Sequence, residues 1–254
     1  LDATTRLAVH FLDNVIDMNK YPLDRIEKMT KDNRKIGLGV MGFADMLLKI
    51  NVPYNSEEAL EVGGKVMEFM LKAATKKSEE LAGERGPFPN FQRSIYRGGK
   101  PLRNATLTTI APTGTLSIIA NCSSGIEPLF AISYIRNVLD KNELVEVNPL
   151  FMEIAQKRGF YSVELMKIIA KSESIKDIKE IPEDIRRVFV TAFDVAPEWH
   201  IKMQAVFQKY THNAVSKTIN FPNDAKRDDI KNAYMLAYTS DCKGLTVYRD
   251  KSRE

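Results

Sequence analysis

Pro112, Thr113, Gly114, Thr115 and Leu116 form the stretch whose residue types best suit anion binding. Glycine lets a backbone approach a ligand closely, successive amides can point at it, and threonine hydroxyls add donors, which together cradle a phosphate. The stretch sits inside a run from Asn104 to Ile126 that contains no Asp, Glu, Lys or Arg, in a chain that is 28% charged. It follows Ala105–Ile110, a β-branched segment that reads as a strand, and precedes the apolar Ile118, Ile119 and Ala120, a possible helix start. The G-x-x-x-x-G-K-[ST] pattern is absent, which argues against P-loop NTPase chemistry. A buried strand followed by a plain turn would use the same residues.

A second loop, Phe221-Pro222-Asn223-Asp224-Ala225, also lies between an expected strand and an expected helix. In parallel α/β sheets such loops gather at the carboxyl ends of the strands, where ligands bind, and a fully parallel sheet would set both loops on one rim. Asp224 reads as a helix cap. Cys122 reads as a small buried residue near the Ser123-Ser124-Gly125 turn, since nucleophilic catalysis would need a base and no histidine is near it in sequence. Cys242 reads as structural. His10, His200 and His212 are isolated, none at metal-ligand spacing from a Cys, Asp or other His, so no metal site is expected. Trp199 and Phe207 read as core.

The elements that must position these residues follow from periodicity. A helix opens at Asp2 and stops at Tyr21-Pro22, and a second begins there. Ile36–Gly42 reads as a buried strand or tight turn, and Phe43–Ile50 as a helix. Ser56 opens the longest helix, which runs to about Glu84 before Arg85-Gly86-Pro87 stops it. Ala131–Val138 and Leu144–Val147 form a candidate hairpin around Asp140-Lys141-Asn142. Helices are expected at Pro149–Arg158, Ser162–Ala170, Pro182–Val190 and Pro197–Tyr210. Strand Ala214–Asn220, helix Arg227–Tyr238 and strand Leu245–Tyr248 close the chain, an order that argues for parallel sheet and an α/β class.

Composition bounds the rest. The 254 residues carry 37 Lys+Arg against 33 Asp+Glu, a net charge of +4, with 44% hydrophobic residues. That excludes disorder and disulfide scaffolds, and the interleaved charges leave no dense basic block for nucleic acid. No segment reads as a signal peptide or membrane span, and two lone cysteines fit a reducing, cytoplasmic compartment. The chain starts at Leu1, already inside a helical pattern, so a piece of something longer is expected. Residues 1–254 read as a single segment.

The run Thr108-Thr-Ile-Ala-Pro-Thr-Gly-Thr-Leu-Ser-Ile-Ile-Ala-Asn-Cys-Ser-Ser-Gly-Ile-Glu-Pro128 resembles the late barrel motif of ribonucleotide reductase large chains, above all the adenosylcobalamin-dependent (class II) form. The likeness continues in Asn33-Arg-Lys-Ile-Gly-Leu-Gly-Val-Met-Gly-Phe-Ala-Asp45 and Arg85-Gly-Pro-Phe-Pro89. It extends through Ala214-Val-Ser-Lys-Thr-Ile-Asn-Phe-Pro-Asn-Asp-Ala225 and Cys242-Lys-Gly-Leu-Thr-Val-Tyr-Arg-Asp250. The resemblance implies the helix-rich C-terminal half of a ten-stranded α/β barrel. It implies an enzyme that reduces ribonucleotides through a cobalamin-initiated thiyl radical, with Pro112, Thr113, Gly114, Thr115 and Leu116 binding the substrate phosphates. Gly125-Ile126-Glu127-Pro128 would shape the adjoining strand.

The same resemblance marks what is missing. The family's thiyl cysteine lies in an Asn-x-Cys-x-Glu motif, which this sequence lacks, and its redox cysteine pair is not here either. No catalytic residue is therefore expected within the chain. An N-terminal segment of the reductase and an external thiol reductant such as thioredoxin are the expected partners, with a ribonucleotide as substrate. Where the iron-dependent class carries two adjacent tyrosines, this chain has Thr246-Val247, which favours the cobalamin class. A non-catalytic nucleotide-binding or assembly module that kept the phosphate loop is the alternative.

Overall fold

The computed structural model describes residues 1–138, 142–172 and 174–252, in which helices dominate and regular strands are short. The chain divides into two compact units. The first comprises Leu1–Val40, Gly63–Ala111 and Val206–Val215; the second comprises Met41–Val62, Pro112–Ala205 and the chain from Ser216 onward.

In the first unit, α1 (Asp2–Met18), α2 (Asp24–Asn33) and most of α4 (Glu57–Arg85) surround three extended segments. Val9, Ile16, Ile36, Ala74, Leu81 and Leu107 form its core. The extended segments lie parallel, bridged at Leu38–Thr108 and Ile110–Val215. Ile36 N donates to Thr106 O at 3.0 Å, Thr109 N to Leu38 O at 3.0 Å and Ile110 N to Ala214 O at 3.3 Å. Sequence predicts a buried strand or tight turn at Ile36–Gly42 and a strand at Ala105–Ile110, and isolated bridges form there. Side chains take the backbone partners a regular ladder would use. Thr106 Oγ1 and Asn213 Nδ2 both donate to Ile36 O, Thr109 Oγ1 donates to Ala214 O, and His212 Nδ1 accepts from Leu107 N.

An ion network joins α1 to the segment after α2. Arg34, 4% exposed and left-handed at φ 46°, caps α2. Its guanidinium donates to Asp13 Oδ1 at 2.9 Å and to both oxygens of Asp17, at 2.7 and 2.9 Å. Asn104 Nδ2 adds a 3.0 Å bond to Asp13 Oδ1, and Arg103 Nε one of 3.3 Å to Asp13 Oδ2. The hydrogen bond from Arg34 holds the Asp17 carboxyl below the usual aspartate range. A carboxylate depressed on folding stabilises above its unfolded pKa of about 4 and loses that contribution as pH falls through the folded value. The wild-type protein should therefore lose thermal stability below about pH 4 more steeply than Asp17→Asn, measured by calorimetry across pH 2–6.

In the second unit, α3 (Phe43–Lys49) leads toward an antiparallel hairpin of β1 (Ser133–Val138) and β2 (Asn142–Val147), with Ser133 opposite Val147. The hairpin agrees with the sequence reading, though Leu139, Asp140 and Lys141 at its turn lie outside the described residues. α6 (Pro149–Lys157) is capped by Asn148 Oδ1, which accepts from Leu150 N and Phe151 N at 3.0 and 3.1 Å. α7 (Val163–Lys171) is capped by Ser162 Oγ at 3.0 Å from Leu165 N. These helices and α8 (Glu183–Val188) bury Phe151, Leu165, Ile169, Ile185 and Phe189 in one cluster.

β3 (Thr218–Phe221), α10 (Arg227–Thr239) and β4 (Thr246–Arg249) form the expected parallel unit, in register Thr218–Thr246 to Phe221–Arg249. It packs against α9 (Pro197–Gln208) through Ile201, Ile219, Phe221 and Ala233. The cap of α10 differs from the sequence reading. Lys226, not Asp224, is the cap residue, and Asp229 Oδ2 accepts from its amide at 2.8 Å. The helix starts at Arg227 as the sequence reading has it, and a carboxylate inside the first turn satisfies the entering amide. Phe207 is fully buried as expected, whereas Trp199 is only half-buried, with the Lys202 ammonium 4.4 Å from its ring centroid. Among the described residues no helix is long and apolar enough to cross a membrane.

Candidate phosphate-binding loop

The loop that carries Pro112–Leu116 turns on Thr113, which is left-handed at φ 52°. That conformation is costly for a β-branched residue and persists only when its surroundings over-determine it. Three hydrogen bonds do so. Thr113 Oγ1 accepts from Gly125 N at 2.8 Å, Ser124 Oγ donates to Pro112 O at 2.6 Å, and the two hydroxyls lie 3.3 Å apart. Since the single Ser124 hydroxyl hydrogen goes to Pro112 O, Thr113 donates to Ser124. Thr113 thus spends its hydroxyl inside the fold, and Thr115 is exposed.

α5 (Gly114–Ala120) begins immediately after Thr113. Ser117 N accepts the first intrahelical role by donating to Thr113 O at 2.8 Å, so the amides of Gly114, Thr115 and Leu116 precede the helical ladder. No side chain caps them. A Cβ built on Gly114 meets nothing within 4 Å, and the φ of Gly114 is not in the left-handed region. The protein's own packing therefore does not demand glycine here. The open space at Gly114 does leave room for an anion beside the uncapped first turn.

The loop is held from behind by the segment Ser123–Glu127. Gly42 N donates to Ser123 O at 2.7 Å, Ser123 N to Asp45 Oδ2 at 2.5 Å, and Tyr54 Oη to Ile126 O at 2.6 Å. Glu127 reaches β3, where Thr218 N donates to its Oε1 at 2.7 Å and Lys217 Nζ donates to its Oε2. Lys217 also donates to His200 Nδ1 and Thr218 O, each at 2.8 Å. With Nδ1 accepting, His200 carries its proton on Nε2, 3.3 Å from Ala192 O. Burial, reinforced by the Lys217 charge, pulls the His200 pKa down to about 3, so the ring is neutral. Burial also pushes the Lys217 pKa down, against the Glu127 carboxylate that favours its charge, and pushes the Tyr54 phenol well up, keeping it a donor.

Sequence reasoning missed this cluster and treated His200 as isolated. One signal was present. Lys217, immediately before β3, shares a parity with Ile219 and Phe221, and all three are buried. Both cysteines are free thiols of intermediate exposure, whereas the sequence reading had Cys122 buried. Burial raises both thiols, aided by Asp45 beside Cys122 and by Asp241 beside Cys242. The second loop, Phe221–Ala225, lines a separate groove of about 640 Å³ with Pro197 and Ile201 of α9 and Asn232 and Leu236 of α10, and Pro112–Leu116 do not line it.

The chain is 54% identical over its full length to the vitamin B12-dependent ribonucleoside-diphosphate reductase of Thermoplasma acidophilum, covering 33% of that protein. It is 44% identical, again over its full length, to the protein of the same name from Mycobacterium tuberculosis, covering 37% of it. The chain thus spans about a third of the length of these curated relatives. Its fold matches the Actinobacillus ureae class Id ribonucleotide reductase alpha subunit with a TM-score of 0.84 at 24% identity, over 97% of this chain and 46% of that one. The family described as the ribonucleotide reductase barrel domain matches residues 1–248, and the chain belongs to it.

Proposed function

We propose that this chain is the C-terminal part of the catalytic barrel, a ten-stranded α/β barrel in its complete form, of a vitamin B12-dependent ribonucleoside-diphosphate reductase. In that enzyme Pro112, Thr113, Gly114, Thr115 and Leu116 receive the substrate phosphates. The observation that carries the reading is the turn at Gly114, which no side chain caps, where a Cβ on Gly114 would meet nothing within 4 Å and Thr113 is locked by Gly125 N. Amides so arranged stabilise an anion without a charged side chain, which suits a loop free of Lys and Arg.

Adenosylcobalamin would supply the initiating radical. No step is routed through the cofactor in this segment. Neither Cys122 nor Cys242 lies in an Asn-x-Cys-x-Glu motif, and they are not proposed as the radical or redox cysteines. Those thiols belong to other parts of the longer reductase, with an external dithiol such as thioredoxin as the reductant.

Replacing Gly114 by Val in the full-length reductase tests the loop. A side chain there denies a phosphate its amide bonds, at a cost of about 1–3 kcal/mol, roughly a 5- to 150-fold weakening. Titration calorimetry with cytidine diphosphate should show that weakening while the thermal midpoint stays unchanged. Unchanged affinity would remove Gly114 from the site. Binding without reduction by the unsubstituted full-length protein would favour a non-catalytic nucleotide-binding or assembly module.

A further inference from the structure

We propose that Lys217 is a positioning residue for the phosphate loop: through Glu127 its ammonium fixes the Ser123–Glu127 segment against which Thr113 and Gly114 are set. The proposal rests on Pro112–Leu116 being the phosphate site.

The connection is continuous in hydrogen bonds. Lys217 Nζ and Thr218 N take one oxygen each of Glu127, Glu127 N donates to Ser124 O at 3.0 Å, and Ser124 Oγ donates to Pro112 O. Gly125 N, one residue away, supplies the bond to Thr113 Oγ1 that holds the left-handed turn. Lys217 spends all three ammonium hydrogens, on Glu127, His200 and Thr218 O, so it is held in one place. Its side chain is wholly buried and that of Glu127 is 27% exposed.

Such a pair is a poor device for stability alone. Desolvating two ions offsets much of their attraction, and apolar residues of similar volume often serve a core as well or better. What an ion pair adds is direction: the carboxylate must present one oxygen to Lys217 and the other to Thr218 N, which fixes where residues 123–127 run. A methionine in place of Lys217 would fill the volume without specifying that orientation. The Tyr54 phenol, donating to Ile126 O, braces the same segment, and His200 accepts from Lys217.

The test uses the full-length reductase with cytidine diphosphate. Lys217→Met should raise KM at least tenfold, and Glu127→Gln, which keeps one accepting oxygen, at least threefold, each with kcat at saturation within twofold of the parent. The double variant should raise KM no more than Lys217→Met alone, because both substitutions cut one path. A fall in kcat or in active fraction with KM unchanged would mark a merely structural pair and overturn the proposal, as would unchanged kinetics. If Lys217→Met fails to fold, Glu127→Gln carries the same comparison, and an unchanged KM in it overturns the proposal. Gly114→Val separates the two readings. If it raises KM while Lys217→Met and Glu127→Gln do not, the loop stands and the role of Lys217 falls. If Gly114→Val leaves KM unchanged, both fall.

Discussion

Asp13→Ala is expected to cost about 3–5 kcal/mol of stability, seen as a drop of roughly 10 °C in the calorimetric transition. Asp13 is 0% exposed and serves Arg34, Arg103 and Asn104 at once. Removing its carboxylate leaves a guanidinium that is 4% exposed with Asp17 as its remaining carboxylate partner, and an amide donor short of its acceptor. A buried charge stripped of a partner costs far more than the pair was worth, because the group remains desolvated. The exposed pair Lys28–Asp32, at 2.7 Å with Lys28 78% exposed, provides the contrast. Lys28→Ala should change stability by less than about 1 kcal/mol. Equal effects from the two substitutions would show that burial does not govern the network.

Gly39→Ala should be comparably severe. A Cβ on Gly39 would overlap the carbonyl oxygen of Thr109, a backbone atom that cannot rotate away. The parallel pairing there rests on Leu38 N to Leu107 O at 2.8 Å and Thr109 N to Leu38 O at 3.0 Å, so relieving the overlap breaks it. Overpacking in cores usually costs about 1–3 kcal/mol, and a clash with backbone should exceed the upper end. Gly83, inside α4, meets nothing within 4 Å of an added Cβ. Gly83→Ala should be neutral or stabilise by up to about 1 kcal/mol through helix propensity. Hydrogen exchange at Leu38 and Thr109 would report the difference directly: faster in Gly39→Ala, unchanged in Gly83→Ala.

Local chemistry made much of the architecture readable. Ser56 opens α4, its Oγ accepting from Ala59 N at 3.1 Å, and Asn148 with Pro149 opens α6. The β3–α10–β4 unit and the β1–β2 hairpin follow from apolar alternation interrupted by turn residues. The segments around Leu38, Thr108 and Val215 were less readable as strands, because Thr106, Thr109, His212 and Asn213 compete for the backbone with side-chain bonds that propensity does not register. For the loop, the residue types at 112–116 already suggested an anion, whereas the inward turn of the Thr113 hydroxyl depended on Ser124 and Gly125.

Periodicity and capping chemistry, properties of neighbours within a few residues, were enough to specify most helices and the parallel closing unit, and an uncharged glycine-threonine turn gave the proposed phosphate loop. Which charges meet was decided only by the fold. Lys217 finds Glu127 across 90 positions, and Asp13 finds Asn104 across 91. The worth of those meetings comes from the water they exclude, a quantity that exists only once distant segments have packed together.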